Sequence, residues 1–392
     1  MFSLFHNDPL NRLFTVCHLR EGRNTKYITV IGIFILVTWC PLAVLSLLED
    51  IAYGNADGKI NFFRDYAAYA QFLIGIPLFF IAEEIIDRTK DPAVRHFRSS
   101  GLVPSSDLNY LNEKINNISK TVQSIIPDIY IILLAYIITG LLFGSMWWTE
   151  KSSNIATWHA LLLGDIKTIT WTGLWAGIVS IPIFLYLLFR WVWKTFLWCY
   201  LLWCTSKIKL QIVASHPDGA GGLAFLSRIQ AHYGILIFSV GLIIAATAIY
   251  KIDIEKANID SFGVIGPILG FIILAPTAFI IPLLLFSKQL ITTKRITMFQ
   301  FSEFGRKFHT KFHNKWIKGE NNEEDILLAS TDISGMADFN AGYDTLRQMR
   351  VIPYDFVSLL HLIFATLTPL APFLIKVIPW PEKIKCFFNN LL

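Results

Sequence analysis

The sequence predicts an all-α, polytopic transmembrane helical bundle with six spans, a proline-broken seventh and a cytoplasmic N-terminus. Three observations predict it. Hydrophobic residues make up 54% of the 392-residue chain and charged residues only 16%, whereas roughly a quarter of a soluble domain is charged. Seven apolar runs are each long enough to cross a hydrocarbon core of about 30 Å, which takes roughly 20 helical residues. Of the 34 Lys and Arg residues, 25 fall in segments on the N-terminal side of the membrane and 9 on the opposite side, and the basic side is the cytoplasmic one.

The first 26 residues read as a cytoplasmic segment. They hold no short apolar stretch with a small-residue cleavage site, so the first span is expected to act as the insertion signal. The spans are read at Tyr27 to Leu48, Tyr66 to Ile86, Ile125 to Trp148, Thr168 to Phe189, Tyr233 to Tyr250, Gly263 to Phe286 and Phe356 to Ile375. The membrane domain proper is residues 27–286. Beyond the fourth span, aromatic residues continue past Arg190 and Lys194 to Trp203. Residues 190–210 therefore predict a helix emerging into the cytoplasmic interface or lying along it, with the two basic side chains extended toward headgroups.

Ile-Pro recurs in three outward-to-inward spans, at Pro77, Pro182 and Pro282, about 100 residues apart. Such spacing suits parallel two-helix repeats of the kind many transporters contain. The Pro-x-acid-x-x-base signature of mitochondrial carriers is missing at all three. In residues 355–392, Pro369, Pro372, Pro379 and Pro381 interrupt the last run. That segment reads either as a full crossing or as a re-entrant hairpin with its tail, because internal proline frees backbone groups that must be satisfied in lipid.

Residues 287–354 are the one stretch long enough for a cytoplasmic helical subdomain. They begin basic, pass through the acidic Asn321 to Asp325, and end with Met336, Phe339, Tyr343 and Leu346 at three- and four-residue spacing. Those four share one helical face and form a candidate partner-docking surface. His309 and His313 stand four apart among five basic residues, which disfavours a cation, so no metal site is read. Phe308, Phe312 and Trp316 instead suit a basic amphipathic strip on anionic lipid.

The candidate binding residues are His216, Asp218, Gly221 and Gly222 in the loop His216 to Leu226, together with Glu83, Glu84, Asp128 and Arg190 at the cytoplasmic ends of spans. Pro217 stops a helix, Asp218 is placed to cap one, and the glycines allow close backbone approach. The loop reads as a packed turn, an anion cradle of backbone N–H groups, or a proton-handling His-Asp pair. The charged residues read as solvated interfacial groups, or as an acidic vestibule with Arg190 as counter-charge. His361, within the last run, reads as a packing residue. His-Pro-Asp also marks J-domain co-chaperones, but the flanks here are membrane spans and no such soluble domain fits.

The loop resembles that of uncharacterised bacterial inner-membrane proteins that share HPD-x-x-GGL and a late D-x-x-x-[LM]-A-D/R-x-M-R-x-x-P region. The residues that match are His216, Pro217, Asp218, Gly221, Gly222 and Leu223, then Asp332, Met336, Ala337, Asp338, Arg347, Met349, Arg350 and Pro353. The resemblance covers most of the chain from the fourth span onward and implies a bacterial cytoplasmic membrane and a shared fold, with no activity attached.

Five cysteines without a CxxC pair read as free thiols, and no nucleotide loop, zinc-protease or nucleophile-elbow motif occurs. The expected function is permeation or transport of a small anion or lipid-like solute. A scaffold or sensor docking a partner through residues 287–354, and a membrane enzyme acting on a lipid-linked substrate, are the alternatives. No cofactor, catalytic residue or nucleic-acid partner is expected. The expected partners are the bilayer, its anionic headgroups, and a second copy or a cytoplasmic protein.

Overall fold

A computed structural model describes residues 8–16, 23–53, 61–153, 158–163, 166–254, 256–318 and 331–377. Cys17, Cys386, the acidic run Asn321 to Asp325, and Pro379, Pro381, Lys383 and Lys385 lie outside the described residues. Among the described residues, seven helical stretches are long and apolar enough to cross a membrane: Ile28–Leu48, Tyr66–Ser99, Ile126–Gly144, Trp171–Ser206, Phe225–Asp253, Phe262–Leu284 and Phe356–Val377. The chain is an all-α, multi-pass membrane protein. Its remaining principal helices are α1 (Pro9–Val16), α2 (Leu108–Gln123), α3 (Ser287–Phe312) and α4 (Thr331–Gln348).

Side chains at the ends of the spans explain where several of them start. Asp65 accepts from the N–H groups of Ala67 and Ala68 before span two, and Thr170 accepts from Gly173 before span four. Asp355 accepts from Ser358 before span seven. Each satisfies N–H groups that a helix start leaves without a partner. Glu49, at the end of span one, accepts from Trp171 N–H at 2.7 Å and Thr172 N–H at 3.0 Å, which joins two spans on the far side of the membrane. Between spans three and four a short antiparallel hairpin, β1 (Ala160–Leu163) and β2 (Ile166–Ile169), pairs Leu162 with Lys167. Thr168, read from the sequence as the start of span four, therefore belongs to a strand.

Spans two and four are longer than the hydrocarbon layer. At 34 and 36 residues they measure about 50 Å each, so both continue well into the cytoplasm as single rods. Each is also interrupted near its outer end. The ladder widens to π spacing over Tyr69–Gly75 and again over Ala176–Ser180, immediately before Ile76-Pro77 and Ile181-Pro182. Proline has no N–H and its ring crowds the carbonyl four residues earlier, and one wider turn relieves both problems.

Span seven is long and apolar enough to cross. Span five runs outward from Phe225 to Asp253, and the Asp253 carboxylate pairs with Lys376 near the end of span seven. The two ends therefore lie on the same side, opposite the cytoplasmic starts of both spans. Pro369 is accommodated in a 3-10 turn, Thr368–Leu370, packed on span five, where the Gly241 position leaves room for its ring.

On the cytoplasmic side α3 and α4 pack together through aromatic rings set over glycines. Phe339 sits against Gly305, Phe308 near Gly335 and Phe301 near Gly342. A methyl group at Gly305 would lie 3.0 Å from the Phe339 ring, so the missing side chain sets the helix separation. Phe339 also stacks on Phe301, at 5.6 Å between ring centroids.

Candidate functional site

Two charged stripes face each other where spans two and four leave the hydrocarbon layer. Glu83, Asp87 and Lys90 fall at i, i+4 and i+7 on span two, and Arg190 and Lys194 fall at i and i+4 on span four, so each set lies on one helical face. The start of α1 completes the arrangement, with Asp8 and Asn11 inserted between the two rods. All six charged residues are 5% exposed or less. Three are acidic and three basic, and the network is neutral.

Its geometry is specific around Arg190. The guanidinium donates from Nη1 and Nη2 to the two Glu83 oxygens at 3.0 and 2.7 Å and pairs with Asp8. Lys194 Nζ reaches Glu83 Oε1 at 2.7 Å and Asp8 Oδ2 at 2.9 Å. Asn11 Nδ2 donates to Glu83 Oε1 at 2.9 Å. Burial pushes the Asp8 carboxyl upward, but Arg190 and Lys194 outweigh it and hold the group below the usual carboxylate range.

The cytoplasmic end is less complete. Among the described residues the Asp87 carboxylate has no hydrogen-bond donor, and the cation paired with it, Lys194 Nζ, is 3.8 Å away and already held by Glu83 and Asp8. The Lys90 ammonium lies over the Trp198 ring at 5.7 Å and the Tyr233 ring at 5.2 Å. The indole N–H of Trp198 and the side-chain amide of Gln230 are buried without a hydrogen-bond partner among the described residues.

Of the residues read from the sequence, Glu83 and Arg190 are brought together as a buried bidentate pair. Glu84 points elsewhere and pairs with Arg88 on its own helix. Asp128 is joined to span four by the Tyr186 hydroxyl, which donates to it at 3.0 Å one turn before Arg190. In place of an open acidic vestibule the structure holds a buried ion network with Asp128 at its side. Arg190 and Lys194 do not extend to headgroups, because the carboxylates on span two and α1 offer charge-assisted hydrogen bonds in the interior. The stretch 190–210 is the straight continuation of span four as far as Ser206. Asp8, Asn11, Asp87 and Lys90 were not singled out by sequence, although the i, i+4, i+7 stripe on span two was there to be read.

The loop after span four is built around Asp218. One carboxylate oxygen accepts from Ala220 N–H at 2.8 Å and Gly222 N–H at 3.1 Å, and the other from Ala224 N–H at 3.1 Å. The cradle of N–H groups is thus filled by the loop's own carboxylate. Burial would raise the Asp218 carboxyl, and these three donors hold it below its ordinary value. His216 Nδ1 lies 2.9 Å from the same carboxylate. Gly219, Gly221 and Gly222 have φ of 65°, 64° and 94°, which side chains rarely adopt. At Gly221 a Cβ would lie 2.2 Å from Ile212.

The late region docks on this loop. Arg350 donates from its backbone N–H to Gly219 O at 2.8 Å and from Nη2 to Asp218 O at 2.7 Å. Lys294, on α3, caps the end of α4 by donating to Arg347 O and Met349 O at 2.9 and 2.6 Å. The two motifs that carry the sequence resemblance are therefore in contact. The face read as a partner-docking surface is turned onto α3: Leu346 is buried, Phe339 packs among Phe301, Phe304 and Phe308, and Tyr343 and Met336 are half-buried. Internal packing of the hairpin accounts for its periodicity. Comparison with protein-family models, curated proteins and solved structures finds no match.

Proposed function

We propose that this chain is a transport protein of a bacterial cytoplasmic membrane, moving a small anion or a lipid-like solute. The observation that carries the reading is the incomplete satisfaction of the buried polar interior. A network that served only to clamp helices would close on itself. Here the Asp87 carboxylate, the Trp198 indole N–H and the Gln230 amide are left with unused hydrogen-bonding capacity beside a cluster of fixed charges. Buried polar groups of this kind call for a water or solute partner, and ionisable groups in membrane proteins mark substrate paths. The π-turns outside the network, in the same two spans, are local departures of the kind that recur at functional sites.

A catalytic reading of His216 and Asp218 is not favoured, since the carboxylate is committed to three backbone donors. The test is flux. Purified chain in liposomes is expected to move an anion reporter or a labelled lipid faster than empty vesicles, and Asp87→Asn to lose most of that rate per folded molecule. Folded protein that moves neither reporter overturns the proposal.

A further inference from the structure

A groove of about 820 Å³ lies between span two, the start of span five and span seven. It belongs to neither the ion network nor the 216–226 loop. Its wall is largely apolar, with Leu78 and Ile85 from span two and Ile235 and Phe238 from span five. At its cytoplasmic end the lining changes character, to Arg228, His232 and His361. By the topology above, this end lies at headgroup depth in the inner leaflet, since Arg228 and His361 follow the cytoplasmic starts of spans five and seven by only three and five residues.

The charges there are unevenly matched. Asp355, at the same rim, accepts from the Ser358 N–H at 3.1 Å and the Ser358 hydroxyl at 2.7 Å, pairs with the Ser227 hydroxyl, and is faced by Arg350. Its carboxylate is thereby satisfied. The Arg228 guanidinium is exposed and makes no hydrogen bond or ion pair among the described residues, and the buried Nδ1 of His232 has no partner. A second groove of about 560 Å³, between spans four, five and six, is apolar apart from Thr195. It could take an acyl chain but has nothing with which to choose a headgroup.

We infer that the groove between spans two, five and seven binds an anionic lipid-like amphiphile, its phosphate or carboxylate head on Arg228, His232 and His361 and its chain along Leu78, Ile235 and Phe238. The apolar length takes the chain and the uncompensated guanidinium takes the charge, as the planar donor fork of arginine suits both oxyanions. As a statement of what is transported, this rests on the transport reading above. As a binding site it does not.

The experiment separates the two. Full-length protein is placed in phosphatidylcholine nanodiscs doped with phosphatidylglycerol, and the lipids retained after mild extraction are counted by native mass spectrometry. The wild type is expected to retain phosphatidylglycerol over phosphatidylcholine. Arg228→Gln should weaken that retention about tenfold, the loss of one charge-assisted contact, and Ala231→Phe should block the groove by bulk. Arg295→Gln, on α3 away from the groove, should change nothing. Melting temperatures of all variants are compared with wild type, so that loss of fold is not read as loss of binding. Equal retention of both lipids, or retention unchanged in Arg228→Gln and Ala231→Phe, overturns the inference. So does displacement of the lipid by millimolar inorganic phosphate alone, which would make the site one for a free anion. Selective retention without flux of the same lipid would leave this site standing and overturn only the transport reading.

Discussion

Glu83→Gln puts the ion network to its most direct test. The Glu83 carboxylate takes four hydrogen bonds, two from Arg190 and one each from Lys194 and Asn11. The amide keeps one oxygen and turns an N–H₂ group toward a cation, and the network passes from neutral to a net charge of +1. Removing one partner of a buried ion pair costs about 3–5 kcal/mol, chiefly because the other charge is left uncompensated. Arg190→Leu should cost a similar amount with the opposite net charge, −1. In the double variant Glu83→Gln with Arg190→Leu, Asp8 and Asp87 remain opposite Lys90 and Lys194 and the network is neutral again. The double loss should therefore fall short of the sum of the single losses by about 1–3 kcal/mol, the range of coupling between contacting groups. Unfolding in mixed micelles, followed by tryptophan fluorescence, measures all three. A Glu83→Gln variant within about 1 kcal/mol of wild type, or strict additivity in the cycle, would refute the argument that these charges are mutually compensated in a dry interior.

The remaining predictions concern the loop and the topology. Gly221→Ala is expected to lower the melting temperature clearly, since its φ is positive and Ile212 occupies the space of a Cβ, whereas Gly219→Ala, whose nearest neighbour is the end of Arg350 at 3.8 Å, pays only the backbone strain. Asp218→Asn should destabilise by about 1 kcal/mol, the usual scale for a lost cap. Its acid dependence is also fixed in sign. A carboxyl whose folded value lies below the unfolded value of about 3.9 contributes its full stabilisation above that pH and loses it as pH falls through the folded value. Acid unfolding of Asp218→Asn should accordingly be shallower than that of wild type below about pH 4, and identical acid profiles would show that the three N–H donors do not matter energetically. Lys376→Cys, in a chain without its native cysteines, should react with an impermeant maleimide from the side opposite the cytoplasm. Labelling from the cytoplasmic side alone would remove the seventh crossing.

The spans were legible because hydropathy and Lys/Arg asymmetry act on each segment separately, without knowledge of its neighbours. The seventh was ambiguous for the same reason. Its prolines argue against a helix only until Asp253 and the space at Gly241 are brought beside it. The docking face shows the limit of periodicity: Met336, Phe339, Tyr343 and Leu346 had to cover something, and the pattern could not say whether that was a partner or α3. Gly305, Gly335 and Gly342, at ring-sized intervals opposite the phenylalanines, were the missing signal. At Asp218 the capping residue and the permissive glycines could be read directly, but not that the carboxylate would turn back into its own loop. Asp8 was the least legible of the site residues. It lies 75 positions before Glu83 in a segment that reads as a plain cytoplasmic lead-in, and its role exists only once α1 is inserted between two spans.

The internal echo of Ile-Pro can now be resolved into two members. In spans two and four the proline follows a π segment and precedes a charged stripe, Glu83 six residues after Pro77 and Arg190 eight after Pro182. In span six Pro282 lies near the end of a helix with no such segment, and no charged stripe follows it inside the membrane. The likeness of spans two and four is thus physical as well as sequential. Both enter from the far side behind a side-chain cap, widen by one turn before proline, and then present fixed charges to each other about 10 Å further on. Opposite charges at matched depth explain why these two spans are the ones extended as rods into the cytoplasm. Each rod carries the counter-ions of the other, and shortening either one would strand a buried charge.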